Sequence, residues 1–104
     1  MTESTRDLAE LRQVALQMRR TIIEITTRAG SGHPSTSLSM VELVVPLYFG
    51  GVLRHDPRNP HWPDRDRFIL SKGHGAPALY TVLAMRGYFP MEWLSTLRKL
   101  DSPL

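Results

Sequence analysis

The sequence predicts an α/β fold, mostly helical, with one short parallel strand buried on both faces. Three observations carry that expectation. Phe68, Ile69 and Leu70 form a continuous apolar run between Asp66-Arg67 and Ser71, the pattern of a strand covered on both sides. The Gly73-His74-Gly75 turn follows at once, and a helical pattern begins at Ala76, so the strand runs directly into a helix. Ahead of both, apolar residues recur at three- and four-residue steps from Leu8 to Ala29, the signature of an amphipathic helix.

In chain order, Ser4-Thr5-Arg6-Asp7 offers capping side chains, and Asp7 suits the positive end of a helix dipole. The stripe Leu8, Leu11, Ala15, Met18, Ile22, Ile25 and Ala29 then spans roughly 22 residues, or about 33 Å of helix. Gly30 stops it. A second helix is predicted from within 35–39 to about Phe49, with Ser39 and Glu42 at capping-box spacing and Pro46 as an internal kink. Pro57, Pro60 and Pro63 predict a stiff, polyproline-like path through the connection from Val52 to Asp66, with Trp62 pinning it to the core. After the strand, the helix from Ala76 to Met85 turns Leu79, Val82 and Leu83 inward and closes at Gly87. Pro90 opens a last helix with Leu94, Leu97 and Leu100 on its apolar side.

Composition narrows the function classes. The chain has 104 residues, 41% hydrophobic and 22% charged, which is globular rather than disordered. It has no cysteine, so disulfides and thiolate metal sites are excluded. The net charge of +3 comes largely from 11 arginines scattered beside acids, as in Arg65-Asp66-Arg67, a solvated surface rather than a nucleic-acid face. No apolar run is long enough to span a bilayer. The polar start Thr2-Glu3-Ser4-Thr5 lacks the regions of a signal peptide, so a cytoplasmic location is expected. No metal site is expected at His55 and His61, which lack a close acidic cluster.

Two histidines stand out by their surroundings. His74 sits between glycines at a predicted strand-to-helix turn, where open α/β sheets bind ligands and a helix start can seat a phosphate. His33 lies in Gly30-Ser31-Gly32-His33-Pro34, where Pro34 keeps it out of helical geometry. A polar residue in a solvent turn would look the same in either place. A physical difficulty also arises, because one strand cannot pair its own backbone and the sequence shows no second strand. Residues 1–104 therefore read as an incomplete portion of a domain.

The ordered set of motifs resembles a known family. Ala29-Gly30-Ser31-Gly32-His33-Pro34, Leu53-Arg54-His55-Asp56-Pro57, Asn59-Pro60, Trp62-Pro63-Asp64-Arg65-Asp66-Arg67-Phe68 and Leu70-Ser71-Lys72-Gly73-His74 follow one another as at the beginning of transketolases. Lys72-Gly73-His74-Gly75-Ala76-Pro77-Ala78-Leu79-Tyr80 is most similar to their split bacterial N-terminal subunits. The resemblance implies a partial thiamine-diphosphate-binding fold in which the cofactor supplies an electron sink for two-carbon transfer between sugar phosphates. It assigns His33 to the substrate near its reacting carbons, as a catalytic group, and His74 to the cofactor's diphosphate. The Gly-Asp-Gly to Asn segment that holds Mg²⁺ in the family, and the pyrimidine domain with its activating glutamate, do not occur in this sequence. The resemblance thus implies metal ligands outside these residues, a homo- or hetero-oligomer completed by the rest of the diphosphate domain and a pyrimidine-domain subunit, and no activity alone. The alternatives are a related enzyme, 1-deoxyxylulose-5-phosphate synthase or dihydroxyacetone synthase, or a non-catalytic segment that only docks on a partner subunit.

Overall fold

The structure, a computed structural model, describes residues 7–30, 34–71, 75–97 and 101–104. His33, His74, Leu100, Arg98 and Lys99 lie outside the described residues. The first helix, α1, is Leu8–Ala29, as the stripe predicts. The Asp7 side chain caps it by accepting from the Glu10 amide at 2.8 Å. Ala15, Met18, Ile22 and Ile25 of the stripe are buried, whereas Leu8 is 63% exposed. The stripe therefore works from its middle, and the first turn stands clear of the core.

The predicted second helix is two helices, α2 (Pro34–Leu38) and α3 (Val41–Phe49). The predicted capping box does not form: Ser39 donates its hydroxyl back to the Thr36 carbonyl at 2.7 Å, and Glu42 pairs with Arg19 of α1. Met40, not Ser39, occupies the N-cap position of α3, without a side-chain cap bond. A break here lets α3 turn Val41, Val44, Val45 and Tyr48 onto α1 while Ser37 of α2 faces elsewhere.

The connection from α3 to the next helix is not an extended polyproline path. Amides of Asn59, Trp62 and Arg65 bond the carbonyls of Asp56, Asn59 and Trp62 at 3.0, 3.0 and 3.2 Å, making successive turns that share their corner residues. Pro57, Pro60 and Pro63 each occupy the second position of such a turn, where a fixed φ near −65° is an advantage. Arg54 and Asp66 close the base of the loop, through Asp66 N to Arg54 O at 2.7 Å and Arg54 N to Asp66 Oδ2 at 2.8 Å. These bonds from Arg54 hold the Asp66 carboxyl below its usual range. Trp62 is only half-buried; the loop's buried anchor is His55.

The predicted buried parallel strand at 68–70 is absent. No strand is formed anywhere among the described residues, so the expected parallel strand is not found, while the mostly helical character of the segment holds. Ile69 is 84% exposed, while Phe68 and Leu70 pack on the core. The segment is thus extended with one side inward, not covered on both. Its backbone meets no neighbouring strand, and a strand is defined by that pairing.

The next helix, α4 (Ala76–Arg86), buries Ala78, Thr81 and Val82 against α1 and α3. It ends in a Schellman arrangement: Gly87 sits at φ +98°, its amide reaches Ala84 O at 3.0 Å, and the Tyr88 amide reaches Leu83 O at 3.0 Å. Pro90 precedes not an α-helix but a 3₁₀ helix, Met91–Thr96, which buries Leu94. Leu94 and Leu97 join Ile25 and Ala84 in a small second core beside the main one.

Candidate functional site

The two histidine turns lie outside the described residues, but the helices that begin after them do not. Helix α2 starts at Pro34, directly after His33, and α4 starts at Ala76, two residues beyond His74. These two helix starts touch. The Ser37 hydroxyl of α2 is fully buried and accepts a hydrogen bond from the Ala78 amide in the first turn of α4, at 3.2 Å. Met40, just past α2, lays its Sδ against Gly75 at the mouth of α4, where a side-chain carbon on residue 75 would collide with it. Leu70, from the segment before the turn, closes the same spot from the other side.

Gly75 has an ordinary φ of −87°, and the Met40 side chain is what lies close to it. The first turn of α4 also has less to give an anion than its dipole suggests. Pro77 has no amide hydrogen, and the Ala78 amide is engaged by Ser37, leaving at most the amides of Gly75 and Ala76. A diphosphate at this end would still be favoured by the dipole but must draw most of its donors from outside the helix.

At the opposite end of α4 the polar groups are structural. The His55 Nε2 lies 3.2 Å from the Tyr48 carbonyl and its Nδ1 2.6 Å from the Tyr88 hydroxyl. A carbonyl only accepts, so Nε2 carries the hydrogen, and in the neutral ring Nδ1 accepts from Tyr88. Arg86 Nε donates to the same Tyr48 carbonyl at 2.8 Å, with its guanidinium 5.6 Å above the Phe49 ring. Together His55 and Arg86 satisfy a carbonyl in the last turn of α3 that the helix itself leaves unpaired. Burial pushes the Tyr48 phenol up to about 12, with Tyr88 adding to the rise, and burial also raises Tyr88. His55 therefore ties the loop to α3 and α4, and both its ring nitrogens are engaged. His61 is exposed on the same loop. Among the described residues no three His, Asp or Glu side chains converge as a metal centre. No helix is long and apolar enough to cross a membrane among them.

A groove of about 440 Å³ opens between α1 and α3, lined by Leu8, Ala15, Val45 and Pro46 with Arg19 and Glu42 at its rim. It shares no lining residue with α2 or α4. Ser37 is the residue that sequence reasoning missed. A lone serine in a polar stretch gives no local sign of a partner 41 positions away.

Comparison with known proteins places this geometry. The family described as the thiamine diphosphate binding domain of transketolase matches residues 11–103. The chain is 48% identical over 90 residues to the 6-deoxy-6-sulfo-D-fructose transketolase subunit SqwG of Clostridium sp. (strain MSTE9), covering 86% of this chain and 32% of that protein. It is 45% identical over 100 residues to human transketolase, covering 93% of this chain and 15% of that protein. It is 38% identical over 96 residues to transketolase 1 of Escherichia coli, covering 91% and 14%. The chain thus spans a third or less of the length of these relatives. Since the family pattern runs from early in α1 to beyond the 3₁₀ helix, the chain belongs to the transketolase family, as an N-terminal segment of its thiamine diphosphate-binding domain.

Proposed function

We propose that this segment serves a transketolase-type enzyme that passes a two-carbon ketol unit from a ketose phosphate to an aldose phosphate. The family match over residues 11–103 supports the reading, and the observation that carries it in the fold is the Ser37–Ala78 junction. It brings together the starts of the two helices that follow the histidine turns. In this reading His33 is the catalytic group. Its imidazole holds or moves a proton at the substrate oxygens beside the reacting carbons, which suits a side chain that both donates and accepts near neutral pH. His74 donates to the diphosphate of thiamine diphosphate, and the α4 dipole favours the same negative charge. When bound, the cofactor supplies the electron sink for the two-carbon unit.

Mg²⁺ would be held by residues outside these 104, as the family resemblance implies. The other residues of the diphosphate domain and a pyrimidine domain would come from further chain or from a partner subunit, in a homo- or hetero-oligomer in the cytoplasm. One relative is itself named a transketolase subunit, which favours assembly from parts. The test is a ketol-transfer assay of the complete enzyme carrying this segment, with a ketose phosphate donor and an aldose phosphate acceptor. Transfer that requires both thiamine diphosphate and Mg²⁺ is the expected result. A complete, folded, cofactor-loaded enzyme that moves no two-carbon unit between these sugars would overturn the reading.

A further inference from the structure

We infer that Ser37 is a positioning residue that holds the start of α4, the helix that begins two residues beyond His74, in place for the cofactor. The inference rests on the reading above, in which that turn meets the diphosphate.

Helix α4 begins without a local cap, since Gly75 at its N-cap has no side chain to offer. An N-cap side chain ordinarily bonds the amide at the second or third helical position. In α4 the amide at the third position belongs to Ala78, and Ser37 supplies the missing acceptor from another helix, at 3.2 Å. The glycine and the remote serine are complementary. Met40 lays its thioether in the space that a side chain at position 75 would enter, so a local cap there would first have to displace the end of the Met40 side chain. Ser37 and Met40 lie three positions apart and reach the same end of α4, one by a hydrogen bond and one by packing. Neither contact is with solvent: Ser37 is 0% and Met40 6% exposed.

The placement along the chain gives this clamp its consequence. Ser37 follows His33 by four positions, and Ala78 follows His74 by four. The bond therefore joins equivalent points just downstream of both turns. Movement of the α4 start away from α2 would break it and strip a buried amide of its partner, which the interior penalises.

Two measurements test the inference. The first is amide hydrogen exchange at Ala78 in the complete enzyme carrying this segment. Ser37→Ala should speed it about tenfold, and Ser37→Thr, which keeps the hydroxyl, should not. The second is the affinity of the complete enzyme for thiamine diphosphate, by calorimetric titration with Mg²⁺ present. Ser37→Ala should weaken it about tenfold, and Ser37→Thr should restore it. If Ala78 exchange is unchanged in Ser37→Ala, Ser37 is not the cap. If exchange quickens but cofactor affinity holds, Ser37 is only a core contact; either result overturns the proposal. Should Ser37→Ala fail to fold, Ser37→Cys, close in shape but a weaker acceptor, carries the same comparison. His74→Ala in parallel separates the two ideas. If it leaves cofactor affinity intact, the cofactor role of that turn fails, while Ala78 exchange still reports on the clamp.

Discussion

Tyr48 and Tyr88 keep their phenolic protons more tightly than free tyrosine, and burial is the main reason in both. The neutral form is the one the folded state favours. Their contribution to stability is therefore complete below the ordinary tyrosine value of about 10 and is lost as pH rises through the folded values, about 12 for Tyr48. Ionised Tyr88 would also turn from a donor into an acceptor facing the Nδ1 lone pair of His55. Denaturant midpoints measured from pH 8 to 11.5 should fall above about pH 10 in the wild type and fall less steeply in Tyr48→Phe. Equal slopes would show that Tyr48 is not titrating with unfolding. None of this was legible from the residues alone. His55 sits in a loop with the motif Arg-His-Asp-Pro, and only the return of Tyr88 from the end of α4 explains why its ring is buried.

At the scale of elements, helix ends were legible and connections were not. Gly30 and Gly87 follow their apolar stripes as stop signals, and both adopt positive φ, +66° and +98°. At Gly87 a Cβ would meet only Pro57 Cβ at 3.9 Å, an ordinary contact, so a substitution there probes the backbone. Gly87→Ala should cost about 1–2 kcal/mol through backbone strain alone, with no loss of packing. Urea unfolding measures it, and a cost below about 0.3 kcal/mol would mean the Schellman turn relaxes to another conformation.

The prolines of the long loop show where reading one signal suppresses another. Three-residue spacing suggested a polyproline path, yet Asp56-Pro57 and Asn59-Pro60 are also turn initiators, and the turn reading is the one the chain follows. The short helix α2 was merged with α3 for a similar reason. Apolar periodicity continues across the break at 39–40, where Met40 packs against Gly75 at the start of α4.

For the molecule as a whole, local pattern foretold α1 and α4, and long-range packing decided the rest. The apolar run at 68–70 has strand composition, but strand identity depends on a neighbour, and among the described residues the segment finds helices instead. Leu43 and Val52 are 69% and 60% exposed, and Ile69 more so. Leu8, Leu16, Ile23, Met91 and Trp93 are also exposed on this 38 × 30 × 24 Å body. The family assignment was legible because it rests on ordered motifs, which survive even where their turns lie outside the described residues. The Ser37–Ala78 junction was not, because it joins points that only the packed fold brings together.

The central proposal is that His33 and His74 do different work in the ketol-transfer enzyme this segment would serve. Steady-state kinetics of the complete enzyme across a thiamine diphosphate titration tests it most directly. His74→Ala removes a charge-assisted donor worth roughly 1.5–3 kcal/mol, so apparent cofactor affinity should fall on the order of 10- to 150-fold, with activity partly recovered at saturating cofactor. His33→Ala should leave cofactor affinity nearly intact and lower turnover by about 10²–10⁴, with no recovery at any cofactor concentration. Rescue of His33→Ala by cofactor, with none for His74→Ala, would contradict the account.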